Sequence, residues 1–365
     1  MTQLASNELL SSALTAVGAI AEVLVPGDDG YAGTASALFA DGTPDLVIRP
    51  HDAAGVAAAL RYAAGTGLAV TVRSGGHSMA GLSTSTDGMI IDTRRISGVR
   101  LLDPASGRVR VGAGATWGAV AAALRPHGLG LTAGDTSGVG VAGLTLGGGI
   151  GWMVRRHGLV IDSLAAARLV TADGRLIGAD AVEHADLFWA LRGGSGNFGV
   201  AVGFDFTAQP VTSVHFGAIS YQAGDLPRLI AGWRDLMRAS DEKLTTTLNL
   251  MPAVPGQPGS VTMVCCYASP DGGEAADWNA LAAEAIGSAG EDVVGAPEHV
   301  AGVIAPLDCR QAPAGRPPRR PRGPPSRGIR RRRPSPGRPP ATTGSAPGAA
   351  ARAVRPAGAG RRPRP

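Results

Sequence analysis

Val70-Thr71-Val72-Arg73-Ser74-Gly75-Gly76-His77-Ser78 is the stretch on which the reading of this chain turns. Three strand-forming residues are followed, after Arg73 and Ser74, by two glycines. Glycines placed there let the main chain turn sharply and bring consecutive N–H groups within reach of one anion. A pyrophosphate is such an anion, and a dinucleotide carries one. On the residues alone, His77 is either a hydrogen-bonding turn residue or a side chain set to reach a docked dinucleotide.

Upstream, Leu46-Val47-Ile48-Arg49 reads as a strand, followed by Pro50 and an alanine-rich helix to about Ala64, so the loop closes a β-α-β unit. The region before it, Asn7 to Val23, reads as a helix ended by the turn Pro26 to Gly30. Downstream, strands are expected at Met89–Ile91, Val99–Leu102 and Arg108–Val111, then a helix capped by Thr116. A glycine-dense segment follows from Gly134 to Gly151, then a strand at Arg168–Thr171, a helix at Asp186–Leu191 and a strand at Val200–Phe206. From Val214 to about Ile286 the order strand, helix, strand, strand, helix marks a second, smaller α/β region.

Several of these segments occur in an order that resembles one family. Arg73 to Ser78, Asp92-Thr93-Arg94-Arg95-Ile96, Val111 to Trp117, Gly140 to Gly151, Asp186 to Gly194 and Gly196 to Val200 are similar to the FAD-binding domain of the vanillyl-alcohol oxidase and p-cresol methylhydroxylase superfamily, in its berberine bridge enzyme-like branch. The resemblance implies an α+β fold with a two-subdomain FAD-binding domain of the p-cresol methylhydroxylase type, followed by an incomplete α/β substrate domain and a disordered basic tail. The expected divisions are an entry segment 1–40, an FAD-binding domain 41–210, a partial substrate domain 211–306 and a tail 307–365.

The same resemblance assigns the site. Arg73, Ser74, Gly75, Gly76, His77 and Ser78 hold the cofactor, with His77 bonded to the flavin. Gly134, Gly140, Gly143, Gly148 and Gly149 lie along it, and Val200 lies near the adenine. Some members add a second bond from a cysteine, whose position here is Thr136, so the link is expected through His77 alone. The implied chemistry is hydride transfer from a small organic substrate to the flavin, with dioxygen the electron acceptor. The base is not assigned; Tyr221 and Asn249, on expected second-region strands, are the candidates, and no aromatic residue follows Trp278.

Gly138-x-Gly140-x-x-Gly143 also fits a nicotinamide-type fingerprint. Its context argues against that reading, because Gly130 to Asp135 is turn-like and the glycines continue where a helix should begin. His127, His157 and His184 stand without metal-ligand spacing, so no metal is expected. Trp117, Trp152 and Trp189 read as core, with Trp152 also placed to line a pocket, and Cys265-Cys266 as buried strand residues.

Charge divides the chain sharply. Residues from Leu307 onward hold 16 arginines and one acid, so against a net charge of +5 the first 306 residues carry −10. Such a tail buries no core. Its expected origin is a shift of reading frame near Leu307 in GC-rich coding DNA, a view that the single lysine, Lys243, supports. A basic arm around Arg330–Arg333 would bind nucleic acid only non-specifically, and a linker role has no positive sign. No apolar run is long enough for a membrane span, and the expected location is cytoplasmic. The functional alternatives are an FAD-dependent oxidoreductase and a flavin-binding remnant without turnover.

Overall fold

The computed structural model describes residues 14–211, 213–222, 225–256 and 258–269, with the main chain of 293–294. The expectations for the tail, for Cys309 and for a helix after residue 270 lie outside the described residues.

Two sheets make up the first part of the chain. In one, strands β1 (Ala21–Leu24), β2 (Leu46–Pro50), β3 (Val70–Arg73) and β4 (Met89–Asp92) stand in the order β1-β2-β4-β3. Helix α1 (Ala53–Thr66) joins β2 to β3; Asp52 starts it by accepting from the Gly55 N–H at 2.9 Å, and left-handed Gly67 ends it. The β-α-β unit is therefore present, but its two strands are not neighbours. The fully buried β4 lies between them, parallel to both. Residues 74–88 are thus the link from an edge strand to the central one.

The expected helix to Val23 is corrected. Helical residues end at Gly18, and Ala21–Leu24 pairs antiparallel with β2, Val23 standing opposite Ile48. The free backbone edge of β2 overrides a helix-like local pattern.

The second sheet has the order β5-β6-β10-β8-β9, formed by Val99–Asp103, Arg108–Gly112, Val200–Thr207, Leu164–Val170 and Leu176–Asp180. Helix α2 (Trp117–Leu124), capped by Thr116 as expected, covers one face together with α3 (Val141–Leu146) and α5 (Ala185–Gly194). Trp117, Phe204 and Phe206 fill the space between; Trp117 and Phe206 lie 6.0 Å apart. Val170, Val200 and Val202 extend to the first sheet's core, against Val56, Met89 and Ile91, and so join the two layers.

Two further expectations change. Trp189 is 77% exposed on α5 and is no part of the core. The stretch before Gly138 contains a short strand, β7 (Leu129–Gly130), which pairs with β11 (Gln209–Pro210), and helix α3 does begin right after Gly140. The local argument against a nicotinamide fingerprint therefore loses its helix premise; what still separates this region from that motif is the absence of a strand leading directly into Gly138.

Beyond residue 211 a second lobe forms on the sheet β13-β14-β12-β15: Leu244–Met251, Ser260–Ser269, Ser213–Gln222 and Val293–Val294. Helix α6 (Leu226–Ala239) packs Leu236 and Trp233 on one face, against Ile219, Val261 and Met263. The opposite face presents Val214, Phe216 and Cys266 to Trp152 and Met153 of the first part, Trp152 meeting Phe216 edge to face at 5.2 Å.

Cys265 and Cys266 are both buried, and burial pushes each thiol up to about 12. In a Cys309→Ser background, neither is expected to react with an aromatic disulfide reagent at neutral pH until the lobe unfolds. Labelling of the native protein at the rate of a free thiol would contradict this burial.

Candidate functional site

The loop after β3 is tied down from three sides. The Ser74 hydroxyl donates to the Ala113 carbonyl at 2.8 Å, the Leu38 N–H donates to the Gly76 carbonyl at 3.0 Å, and the Thr93 hydroxyl donates to the Arg73 carbonyl at 3.1 Å. Arg73 is buried and folds back beneath the loop. One of its terminal nitrogens donates to the Ser36 carbonyl at 2.7 Å, and its guanidinium underlies Gly76, whose φ of +76° is open to glycine and few other residues.

Arg73 belongs to a group of cations around one carboxylate. Asp92, with no exposed surface, pairs with Arg94 at 2.7 Å and Arg49 at 3.5 Å, and Arg94 and Arg49 also bond Thr34. Burial, then the nearby Arg94 charge, pulls the Arg73 guanidinium below its ordinary value. Its Nε is buried and without a hydrogen-bond partner among the described residues. A buried guanidinium with an unpartnered Nε beside a glycine turn suits an anionic guest.

The second glycine segment meets this loop directly. A β-carbon on Gly140 would fall well inside van der Waals contact of the Gly75 nitrogen and the Ser74 hydroxyl, and one on Gly75 would strike the Gly140 main chain. Two backbones touch there, so the loop 73–78 and the segment 134–140 form one surface. His77 lies at the seam. A β-carbon on Gly138 would stand 3.2 Å from its Nε2, so the missing side chain makes room for the imidazole. Burial, and after it the Arg73 charge, holds His77 below the ordinary histidine value, which favours the neutral ring at neutral pH.

The remaining cofactor candidates fall into different settings. Gly143, on α3, has open space where a side chain would be, and Gly134 has only an ordinary contact with Leu144. Gly148 and Gly149 have positive φ, and their carbonyls accept from the Ile161 and Val160 N–H groups; a β-carbon on Gly149 would meet Val160 at 2.7 Å. Packing within the protein accounts for that pair. Val200 is buried in the core between the sheets. Ser78 is part-buried, and its hydroxyl accepts from the Leu82 N–H at 3.1 Å. The Thr136 hydroxyl donates to Asp135 at 3.0 Å.

The two candidate bases do not meet. Tyr221 stands opposite Val261 on the helix-covered face, where burial pushes its phenol up to about 12. Asn249 stands opposite Thr262, on the face that includes Phe216 and Cys266, and is exposed. Only Asn249 shares the face turned toward the first part of the chain.

Sequence reasoning missed Gly138 as the room for His77, and Arg155 as a link between the parts. It also missed the cation group, although Arg73, Asp92 and Arg94 all lie inside the quoted motifs. Among the described residues no cluster of three metal-ligating side chains occurs, and no helix is long and apolar enough to cross a membrane.

Residues 44–180 match the family model described as FAD binding domain. The chain is 38% identical over 183 residues to (R)-6-hydroxynicotine oxidase of Paenarthrobacter nicotinovorans, covering 49% of this chain and 39% of that protein. It is 37% identical over 167 residues to xylooligosaccharide oxidase of Thermothelomyces thermophilus, covering 45% and 33%. The crystal structure of 6-hydroxy-D-nicotine oxidase from Arthrobacter nicotinovorans superposes with a TM-score of 0.69 at 28% identity, over 77% of this chain and 62% of that one. The matched regions span under half the length of these two curated relatives. The glycine loop and the touching backbones thus lie within, or directly beside, the stretch 44–180 that matches the FAD binding domain family.

Proposed function

We propose that the chain is an FAD-dependent oxidoreductase whose flavin is bonded to His77 alone, with residues 41–210 holding the cofactor and 211–306 meeting a small organic substrate. The observation that carries this reading is the part-buried imidazole of His77 at the seam of two glycine segments, in a stretch that matches an FAD binding domain.

The chain's own residues divide the work. Backbone N–H groups of Ser74 to Ser78, with the buried cation Arg73 behind them, hold the diphosphate. Gly143 and Gly134 leave space for the cofactor to lie close to the main chain. A neutral His77 would present a ring lone pair for a carbon–nitrogen bond, the flavin methyl giving up a C–H proton, the imidazole its N–H proton and the flavin ring taking the electron pair until dioxygen reoxidises it; Gly138 admits the imidazole. Thr136 has a hydroxyl, which makes no thioether, so one covalent bond is expected.

Flavin, when bound, takes two electrons and a proton from a carbon bearing oxygen or nitrogen and passes the electrons to dioxygen. To Asn249, exposed on the face toward the first part, we assign the orienting of a polar substrate group. Tyr221, facing the helix and held protonated far above neutral pH, is poorly placed for a base.

Two measurements test the reading. After acid denaturation, flavin absorbance is expected to stay with the parent polypeptide and to wash away from His77→Ala, a loss of essentially all retained flavin. Retention in His77→Ala would refute the link, and a colourless protein that ignores added FAD would refute the cofactor. Bleaching of the bound flavin by a substrate, followed by recovery in air, separates an active oxidase from a flavin-binding protein without turnover.

A further inference from the structure

Six residues that follow the glycine run directly, Trp152 to His157, seat the second lobe. Trp152 and Met153 supply the apolar part of that seat. The directional part comes from Arg155. One terminal nitrogen donates to the Ser240 hydroxyl at 3.0 Å and to the carbonyls of Asp241 and Leu244 at 3.0 and 2.6 Å. The other donates to the carbonyls of Met237 and Ser240 at 2.9 and 3.1 Å. Arg156 adds a bond to the Ala268 carbonyl at 3.3 Å.

The Arg155 partners are the C-terminal end of α6 and the turn that leads to β13. Carbonyls at a helix C-terminus have no acceptor role inside the helix, and the helix dipole concentrates negative potential there. A cation presented from the other lobe answers both. Apolar contact such as Trp152 on Phe216 is non-directional and permits sliding, whereas a planar fork aimed at four carbonyls and a hydroxyl fixes an angle.

We propose that Arg155 is a positioning residue for the reaction: it fixes where the second lobe, and the substrate held by it, stands over the flavin-binding glycines. This rests on the flavin reading above. Its functional weight comes from the sensitivity of bond-making steps to placement, where a shift of about 1 Å can cost on the order of a hundredfold in rate. Arg155 and the glycine run share a single short segment, so any looseness at the helix end becomes a displacement beside the ring.

The test uses the full chain with Arg155→Lys and Arg155→Ala. Flavin retained after acid denaturation is expected to equal the parent in both, because the hydrogen bonds of Arg155 among the described residues go to the second lobe and not to the loop 73–78. Sulfite, a small nucleophile that adds to flavin and bleaches its visible band, is expected to react severalfold faster in Arg155→Ala. Arg155→Lys, which aims one ammonium rather than a fork, is expected to fall between, and millimolar guanidinium ion to bring Arg155→Ala back toward the parent. A residue that served folding alone would lower retained flavin and leave the bleaching of what remains unchanged; that result, or equal bleaching at equal flavin content, overturns the proposal.

Proteolysis of the link Ala208–Val211 gives a reading that needs no flavin. Cleavage is expected to be about tenfold faster in Arg155→Ala, as truncation of one partner of a hydrogen-bonded charge raises the opening rate. Unchanged cleavage also overturns the proposal. Were every variant colourless, the flavin reading would fail by itself, and proteolysis alone would decide whether Arg155 seats the lobe.

Discussion

Gly140→Ala is expected to remove bound flavin and lower stability by about 3 kcal/mol, the upper end for overpacking at a site that cannot relax. The backbone at Gly140 has φ −71° and ψ 140°, which any residue adopts, so conformational strain makes no contribution. The whole effect is steric. The new carbon would press on the Gly75 nitrogen and the Ser74 hydroxyl, and both belong to a loop already fixed by Ala113, Leu38 and Thr93. Neither side can give without opening the surface proposed to hold the cofactor.

Gly143→Ala is the matching control. A β-carbon there meets nothing within contact distance, and alanine inside α3 should favour the helix by roughly 0.5–1 kcal/mol. The flavin-free protein is therefore expected to be slightly more stable, while flavin content per chain falls if the added methyl occupies space that the proposed cofactor takes. Urea unfolding midpoints and visible absorbance per polypeptide separate the two. If Gly143→Ala keeps its full flavin content, the open space beside α3 is not where the cofactor lies.

Asp92→Ala should be comparably severe, with a loss of about 3–5 kcal/mol, the cost of breaking a buried ion pair from one side. It would leave Arg49, Arg73 and Arg94 as three neighbouring guanidiniums without their shared carboxylate. Asp92 also caps the turn that follows β4 by accepting from the Arg94 N–H at 3.1 Å. Asp92→Asn retains the shape and loses the charge, so a smaller fall is expected from it. At roughly 2–4 °C per kcal/mol for a domain of this size, Asp92→Ala corresponds to a drop on the order of 10 °C in Tm. A change within about 2 °C on that scale would show that the arginines are satisfied elsewhere. Added salt should recover little, since Asp92 has no exposed surface to screen.

The parts of the fold that were legible share a local cause. Leu46 to Ile48 is apolar, Pro50 and the alanines after it mark a helix, and glycines after Val72 mark a turn; each signal lies in the residues that form the element. Thr116 was readable as a cap for the same reason. What escaped depends on partners distant in sequence. Ala21–Leu24 became a strand because β2 offered an edge, and the insertion of β4 between β2 and β3 leaves no mark on either.

The site divides in the same way. His77 and its loop were legible through a motif, whereas the role of Gly138 requires knowing which way the imidazole turns. Tyr221 and Asn249 are on opposite faces because of strand register, which neither strand specifies alone. Arg155 escaped because its acceptors are main-chain carbonyls, and these have no residue identity to read. Trp189 misled in the other direction: its motif is recognisable, but its exposure depends on what stands against α5.

The central place of β4 has a bearing on biosynthesis. A ribosome releases β2, α1 and β3 before Met89–Asp92 exists, so the nascent chain holds two strands with a vacancy between them. The histidine loop acquires its far anchor only when β4 fills that gap. On the proposed reading, capture of the dinucleotide follows emergence of Asp92, and a ribosome-bound chain halted at Asp87 should take up no flavin, whereas one halted well beyond β10 should.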